Sequence, residues 1–89
     1  MTRDIRFSTT FRHSFRRLPA DERRRVFDAI GKLAADPFAR LAGLDVKPVR
    51  GAAPPKFRLR IGRWRVVYSV EGEIVYLYDV FDRNRGYRE

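Results

Sequence analysis

Four arginines and one tyrosine carry the chemistry this sequence offers: Arg58, Arg60, Arg65, Arg83 and Tyr87. The guanidinium fork of arginine matches two oxygens of a phosphate at once and keeps its charge at neutral pH. Positive donors fixed around a phosphate stabilise the negative charge that builds on its oxygens during a transfer reaction. A tyrosine beside them offers a face on which an unpaired base can stack. Other chemistries are poorly served. There is no cysteine, which removes disulfides, thiolate nucleophiles and thiolate metal sites. His13 is the single histidine and falls on a helical segment far upstream, where a surface role is the simpler reading. Asp79 is the one carboxylate expected near the arginines, and it can act as a base only if Arg65 leaves it free.

These side chains meet only if the strands carrying them pair in a particular register. Residues alternate faces along a strand, so parity assigns each one. Phe57, Leu59 and Ile61 alternate with Arg58 and Arg60, and Trp64, Val66, Tyr68 and Val70 alternate with Arg65, Val67 and Ser69. Gly62-Arg63 between them fits a two-residue hairpin turn with glycine first. That turn sets Ile61, Leu59 and Phe57 opposite Trp64, Val66 and Tyr68 on an apolar face. On the other face Arg60 meets Arg65, and Arg58 meets Val67.

Glu71-Gly72-Glu73 marks a second turn. A three-residue loop pairs Val70 with Ile74, Tyr68 with Tyr76 and Val66 with Tyr78, and brings Asp79 opposite Arg65. A two-residue Glu71-Gly72 loop would instead send Ile74, Tyr76, Tyr78 and Val80 to the arginine face, because a slip of one residue exchanges the faces. The first register keeps the apolar sets together and is preferred. It assigns Trp64, Tyr68, Tyr76 and Tyr78 to the core. It also leaves Val67, Val75 and Leu77 on the open face, where a partner segment would cover them, and Phe81 beside them, to stack a base or pack under that partner. Arg83 joins that face if the last strand extends in register. The plain alternative is an exposed sheet kept soluble by arginine. Three aligned arginines followed by a basic tail favour a phosphate site.

The rest of the chain supplies packing for this sheet. Residues 4–8, DIRFS, form a short strand with Ile5 and Phe7 on one face. Ser8, Thr9 and Thr10 offer N-cap hydroxyls for a first helix, along which Phe11, Phe15 and Leu18 recur as an apolar stripe. Pro19 suits the first turn of a second helix, Asp21 and Glu22 favour its N-terminus, and Val26, Phe27, Ile30, Leu33 and Ala34 form its buried stripe. Arg23, Arg24 and Arg25 read as a solvated face. Asp36-Pro37 ends the helix. Residues 38–55 read as a connection, with Leu41, Leu44, Val46 and Val49 pinning parts of it to the core. The expected class is α+β, in the order β-α-α-β-β-β, with the N-terminal strand and helical hairpin on one face of an antiparallel sheet.

Composition bounds the partners. The 89 residues are expected to form a single domain, 1–89. Twenty Lys and Arg against eleven Asp and Glu give a net charge of +9, and all the bases except Lys32, Lys47 and Lys56 are arginine. Such a balance favours polyanions, whether nucleic acid or an acidic protein. No stretch approaches the ~20 apolar residues of a membrane span. The N-terminus carries charges where a secretory signal would be apolar, so a cytoplasmic protein with no membrane partner is expected.

With these residues in view, the sequence resembles the RelE/ParE superfamily of bacterial type II toxins. The resemblance rests on the short N-terminal strand, the helical hairpin, PVRG before the sheet, FRLRIGRWRVVY, the acidic turn VEGE and the terminal DRNRGYR. It implies a toxin neutralised by a cognate, acidic antitoxin. RelE-like members cut mRNA in the ribosomal A site with the ribose 2′-hydroxyl as nucleophile, so neither metal nor cofactor is implied. ParE-like members inhibit DNA gyrase without chemistry. Matched position by position, Arg58 and Arg60 fall on the family's basic second-strand residues, Arg65 on the arginine that holds the scissile phosphate, Arg83 on the basic residue after the last strand, and Tyr87 on the base-orienting tyrosine. The best-studied RelE-like pattern has lysines where this chain has Arg58 and Arg60. An endoribonuclease acting on ribosome-bound mRNA is the reading favoured here, and a gyrase inhibitor the alternative.

Overall fold

Seven elements build a five-stranded sheet with a helical hairpin packed across one face. The structure, a computed structural model, describes residues 3–36 and 44–84. In chain order the elements are β1 (Asp4–Phe7), α1 (Thr9–Arg16), α2 (Ala20–Ala35), β2 (Asp45–Pro48), β3 (Phe57–Ile61), β4 (Trp64–Glu71) and β5 (Ile74–Asp82). The sheet order is β1-β5-β4-β3-β2. The α+β order is the expected one, with two differences. The N-terminal strand does not pack on a face of the sheet; it joins the edge, parallel to β5. The connection before the sheet contains a strand, β2, antiparallel to β3.

Local chemistry explains the helices. Ser8 is the N-cap of α1, its hydroxyl accepting from the Phe11 N–H at 2.9 Å. Phe11 and Leu18 are buried, and Phe15 packs against the core. Pro19 sits at the N-cap of α2, just before the first turn, and Asp21 and Glu22 follow within it. The buried stripe of α2 is Val26, Ala29, Ile30, Leu33 and Ala34. Phe27, expected in that stripe, is instead 65 % exposed, one position off the buried arc. Of the arginine run, Arg23 is structural: its guanidinium donates to the Arg16 and Leu18 carbonyls at 3.4 and 3.3 Å, covering the end of α1.

The core lies between this hairpin and the inner sheet face, where Leu59, Ile61, Val66, Tyr68, Val75, Leu77 and Val80 meet the helix residues. Burying each large side chain contributes roughly 1.5–3 kcal/mol, so this layer dominates the favourable side of folding. Burial pushes the Tyr68 hydroxyl pKa up, with the nearby Asp36 charge adding to the effect.

The β3–β4 register is the one expected, with Gly62 in the left-handed region at φ 58°. The β4–β5 register is not. The turn is Gly72-Glu73, so Glu71 pairs with Ile74, Val70 with Val75, Ser69 with Tyr76 and Tyr68 with Leu77. A bulge between Val67 and Tyr68 then skips Tyr78, so that Val67 pairs with Asp79, Val66 with Val80 and Arg65 with Phe81. Val75 and Leu77 therefore face the core rather than the open side. Tyr76 and Tyr78 face the open side rather than the core. Val80 returns to the core past the bulge.

Non-local contacts hold the bulge in place. The Ser8 hydroxyl donates to the Tyr78 carbonyl at 2.5 Å, and the Ser8 N–H to the Leu77 carbonyl at 3.0 Å. The Asp79 carboxylate accepts from the Ser14 hydroxyl at 2.7 Å and from the Val80 N–H at 2.8 Å. The backbone groups freed by the extra residue are thus met by the start of α1 and by Asp79 itself.

Two glycines separate backbone from packing effects. Gly72 has φ 58° and nothing near an added Cβ, whereas Gly31 is exposed inside α2 with equally open space. Gly72→Ala is expected to lose about 1–2 kcal/mol of stability, the cost of left-handed backbone, and Gly31→Ala to gain about 1 kcal/mol from helix propensity. Urea denaturation of the two variants checks both signs.

Candidate nucleic-acid interface

The hairpin turn at Gly62 fixes the centre of the open face. It places Arg60 directly across from Arg65, and Arg58 across from Val67. The edge strand β2 extends the face, with Asp45 opposite Arg60 and Lys47 opposite Arg58. Asp45, Lys47, Arg58, Arg60 and Arg65 line one cleft of about 50 Å³. Four cations around so small a cleft suit an oxyanion group such as a phosphate.

The structure therefore brings together three of the five sequence-predicted site residues and adds two. Asp45 and Lys47 were missed because residues 38–55 read as a connection. The available signal was short: Asp45-Val46-Lys47 alternates, with Val46 on the core parity. Pro48 weakens a strand reading, yet it is tolerated on an edge. Val46 pairs with Leu59 and packs against the core.

Electrostatically the cleft is a concentration of like charge. Arg60 faces Arg65 and Lys47 faces Arg58, and like charges directly opposite in a sheet are destabilising. No side-chain hydrogen bond or ion pair within the described residues holds Asp45, Lys47, Arg58, Arg60 or Arg65. The acid expected to offset Arg65 is elsewhere. Asp79 pairs with Val67 rather than Arg65 and is engaged by Ser14 and the Val80 N–H. Among the described residues the carboxylate that lines the cleft is Asp45, from the neighbouring edge strand β2.

Arg83 follows β5, and its N–H donates to the Arg63 carbonyl at 2.8 Å, which ties it to the cleft end of the β3–β4 hairpin. Its neighbour Asp82 receives the Arg63 guanidinium at 2.9 Å through Nε and pairs with Nη2. The Asn84 N–H, then the Arg63 side chain, hold the Asp82 carboxyl below the usual carboxylate range. Arg63 is thereby spent on the hairpin, and Arg83 is exposed. Tyr87 lies outside the described residues. His13 is exposed on α1.

Beyond the cleft the open face turns aromatic. The Tyr76 and Tyr78 rings lie 4.9 Å apart, Lys56 sits 4.7 Å over the Tyr78 ring, and the Tyr78 hydroxyl meets Ser69 Oγ at 3.0 Å. Val67 and Phe81 lie on this parity yet are buried. Cationic and aromatic groups interleaved on one sheet face are the chemistry with which proteins hold single-stranded nucleic acid.

No protein-family model and no curated protein matches the chain. Solved structures do. The archaeal RelE–RelB complex from Pyrococcus horikoshii OT3 contains a chain that superposes with a TM-score of 0.80 at 25 % identity, over 97 % of this chain and 100 % of that one. The toxin–antitoxin complex RelBE2 from Mycobacterium tuberculosis gives 0.78 at 27 % identity, over 93 % of this chain and 100 % of that one. The E. coli DinJ–YafQ toxin–antitoxin complex gives 0.75 at 13 % identity, over 99 % of this chain and 100 % of that one, a likeness of fold alone. The protein has the RelE-like toxin fold.

If the cleft engages a polyanionic strand, its cations displace counterions. Affinity for single-stranded RNA should fall log-linearly with salt, and each of Arg58→Ala, Arg60→Ala and Arg65→Ala should lower the slope by about 0.7. Fluorescence anisotropy across a salt series measures this; equal slopes for parent and variants would place the contact elsewhere.

Proposed function

We propose that the protein is the toxin of a type II toxin–antitoxin pair and acts as an endoribonuclease on ribosome-bound mRNA. The observation that carries this reading is the cationic cleft on the open face of a RelE-like fold, where Arg60 faces Arg65 and Lys47 faces Arg58 without compensating ion pairs among the described residues. The reaction needs little more from a small protein than fixed positive charge. The 2′-oxygen of one nucleotide attacks the adjacent phosphorus, a 2′-O–P bond forms and the P–O5′ bond breaks. The products carry a 2′,3′-cyclic phosphate and a 5′-hydroxyl. Arg58, Arg60 and Arg65 surround the phosphate and bear the charge that develops on its non-bridging oxygens. Arg83 approaches from the hairpin end, and Tyr87 is assigned the stacked base. The ribosome supplies an oriented, extended mRNA, which replaces much of the positioning a larger enzyme would provide.

The partner in the resting state is a cognate, acidic antitoxin. Two features support it: the net charge of +9, and an apolar depression of about 360 Å³ on the helical side, lined by Phe7, Phe11, Phe15, Phe27 and Ile30 with Arg12 and Arg16 beside them. An acidic, amphipathic segment satisfies both features.

A second reading is inhibition of DNA gyrase. It is favoured by the arginines at 58, 60 and 65, none of which transfers protons. Loss of supercoiling when the protein is added to purified gyrase supports that reading, and full supercoiling at excess protein removes it.

The ribonuclease reading predicts codon-positioned cuts when the protein is added to a reconstituted translation system and mRNA 5′ ends are mapped. Arg65→Ala should slow cutting by about 10²–10³-fold, the scale of removing one transition-state donor. Unpositioned cuts, or cuts indifferent to Arg65→Ala, contradict it.

A further inference from the structure

An arginine cluster stabilises a phosphorane but leaves two protons unaccounted for. One must leave the attacking 2′-hydroxyl, and one must reach the departing 5′-oxygen. Arginine does neither, because its guanidinium stays protonated. Among the described side chains lining the cleft two can exchange a proton, Asp45 and Lys47, and both come from the edge strand β2.

Resting on the ribonuclease reading, we propose that β2 supplies the proton-transfer pair of this site: Lys47 protonates the leaving 5′-oxygen, and Asp45 takes the proton of the 2′-hydroxyl. The placement fits the roles. Asp45 and Lys47 share one face of the strand, two residues and roughly 7 Å apart along it. In-line displacement sets the entering and leaving oxygens on opposite sides of phosphorus, so acid and base must be several ångströms apart with the phosphate between them. Arg60 stands opposite Asp45 and Arg58 opposite Lys47, so each proton-transfer group has a phosphate-binding group at its side. The side chains of Asp45 and Lys47 are exposed and hold no hydrogen bond or ion pair within the described residues, which leaves them available to substrate. Asp79, the other carboxylate on β5 near this face, is engaged by Ser14.

The step balances without a further reactant. The 2′-oxygen gives its proton to the Asp45 carboxylate as its lone pair forms the bond to phosphorus. The P–O5′ electron pair leaves on oxygen and takes a proton from the Lys47 ammonium. One proton gained on Asp45 and one lost from Lys47 restore each other through solvent, so no net proton is consumed.

A general acid has a signature that a merely electrostatic cation lacks. The protein is assayed on ribosome-bound mRNA bearing either the natural 5′-oxygen or a bridging 5′-sulfur at the cut position, because a thiolate leaves without protonation. Lys47→Ala and the charge-preserving Lys47→Arg are both expected to lose about 10²–10⁴-fold on the oxygen substrate and to approach the parent rate on the sulfur substrate. Equal losses on both substrates, or full activity of Lys47→Arg on oxygen, would overturn the assignment of Lys47. Asp45→Asn should slow both substrates alike, since the 2′-hydroxyl is unchanged; an undiminished rate would overturn the assignment of Asp45. If the parent protein cuts neither substrate, the ribonuclease reading itself fails, an outcome distinct from the others.

Discussion

One extra residue in β5 decides which side of the sheet almost every later side chain faces. Without the bulge at Tyr78, a strand that begins with Val75 and Leu77 in the core would turn Val80 outward and Phe81 inward. With it, Val75, Leu77 and Val80 all reach the core, and Phe81 stands across from Arg65. The bulge is bought with contacts from α1: Ser8 engages the Tyr78 carbonyl and Ser14 the Asp79 carboxylate. The helix that starts at Ser8 thus does more than cover the core. It also holds the Asp79 carboxylate through Ser14, on a residue across from Val67 rather than Arg65.

The positive charge of the cleft runs against stability. Facing pairs of like charge each disfavour the folded sheet by an amount on the order of a few tenths of a kcal/mol. A fold selected for stability alone would place acids across from Arg58 and Arg65. The hairpin around them is instead reinforced at its edge, where Arg63 clamps Asp82 and the Arg83 N–H reaches the Arg63 carbonyl. Strain at the centre and reinforcement at the rim are what a preorganised phosphate site requires.

Much of this was legible from residue alternation. The β3–β4 hairpin reads directly, since Gly62 fits its turn and three apolar pairs fix the register, so Arg60 opposite Arg65 followed from parity alone. What failed depended on partners far along the chain. The bulge is stabilised by serines more than 60 residues away from Tyr78 and Asp79, and no pattern inside residues 71–82 announces it. The expected three-residue turn placed Val75, Tyr76, Leu77 and Tyr78 on the wrong faces, because without a bulge no register brings both Leu77 and Val80 to the core. Strand β2 was missed for a different reason: four residues ending in proline carry too little alternation to stand out, and only pairing with β3 makes them a strand. Its omission hid Lys47, the lysine of the cleft. Phe27 misled through helical periodicity, which resolves an arc of α2 but not its margin.

On the proposed ribonuclease reading, the open face holds a phosphodiester while the RNA's own 2′-hydroxyl attacks it. The most direct measurement uses a ribosome-bound mRNA with a single 2′-deoxy substitution on the nucleotide 5′ to the mapped cut. This message is expected to survive at that position, while the unmodified message yields fragments ending in 2′,3′-cyclic phosphate and 5′-hydroxyl, as 2′-hydroxyl attack requires. Cutting of the deoxy-substituted message at the same position would contradict it.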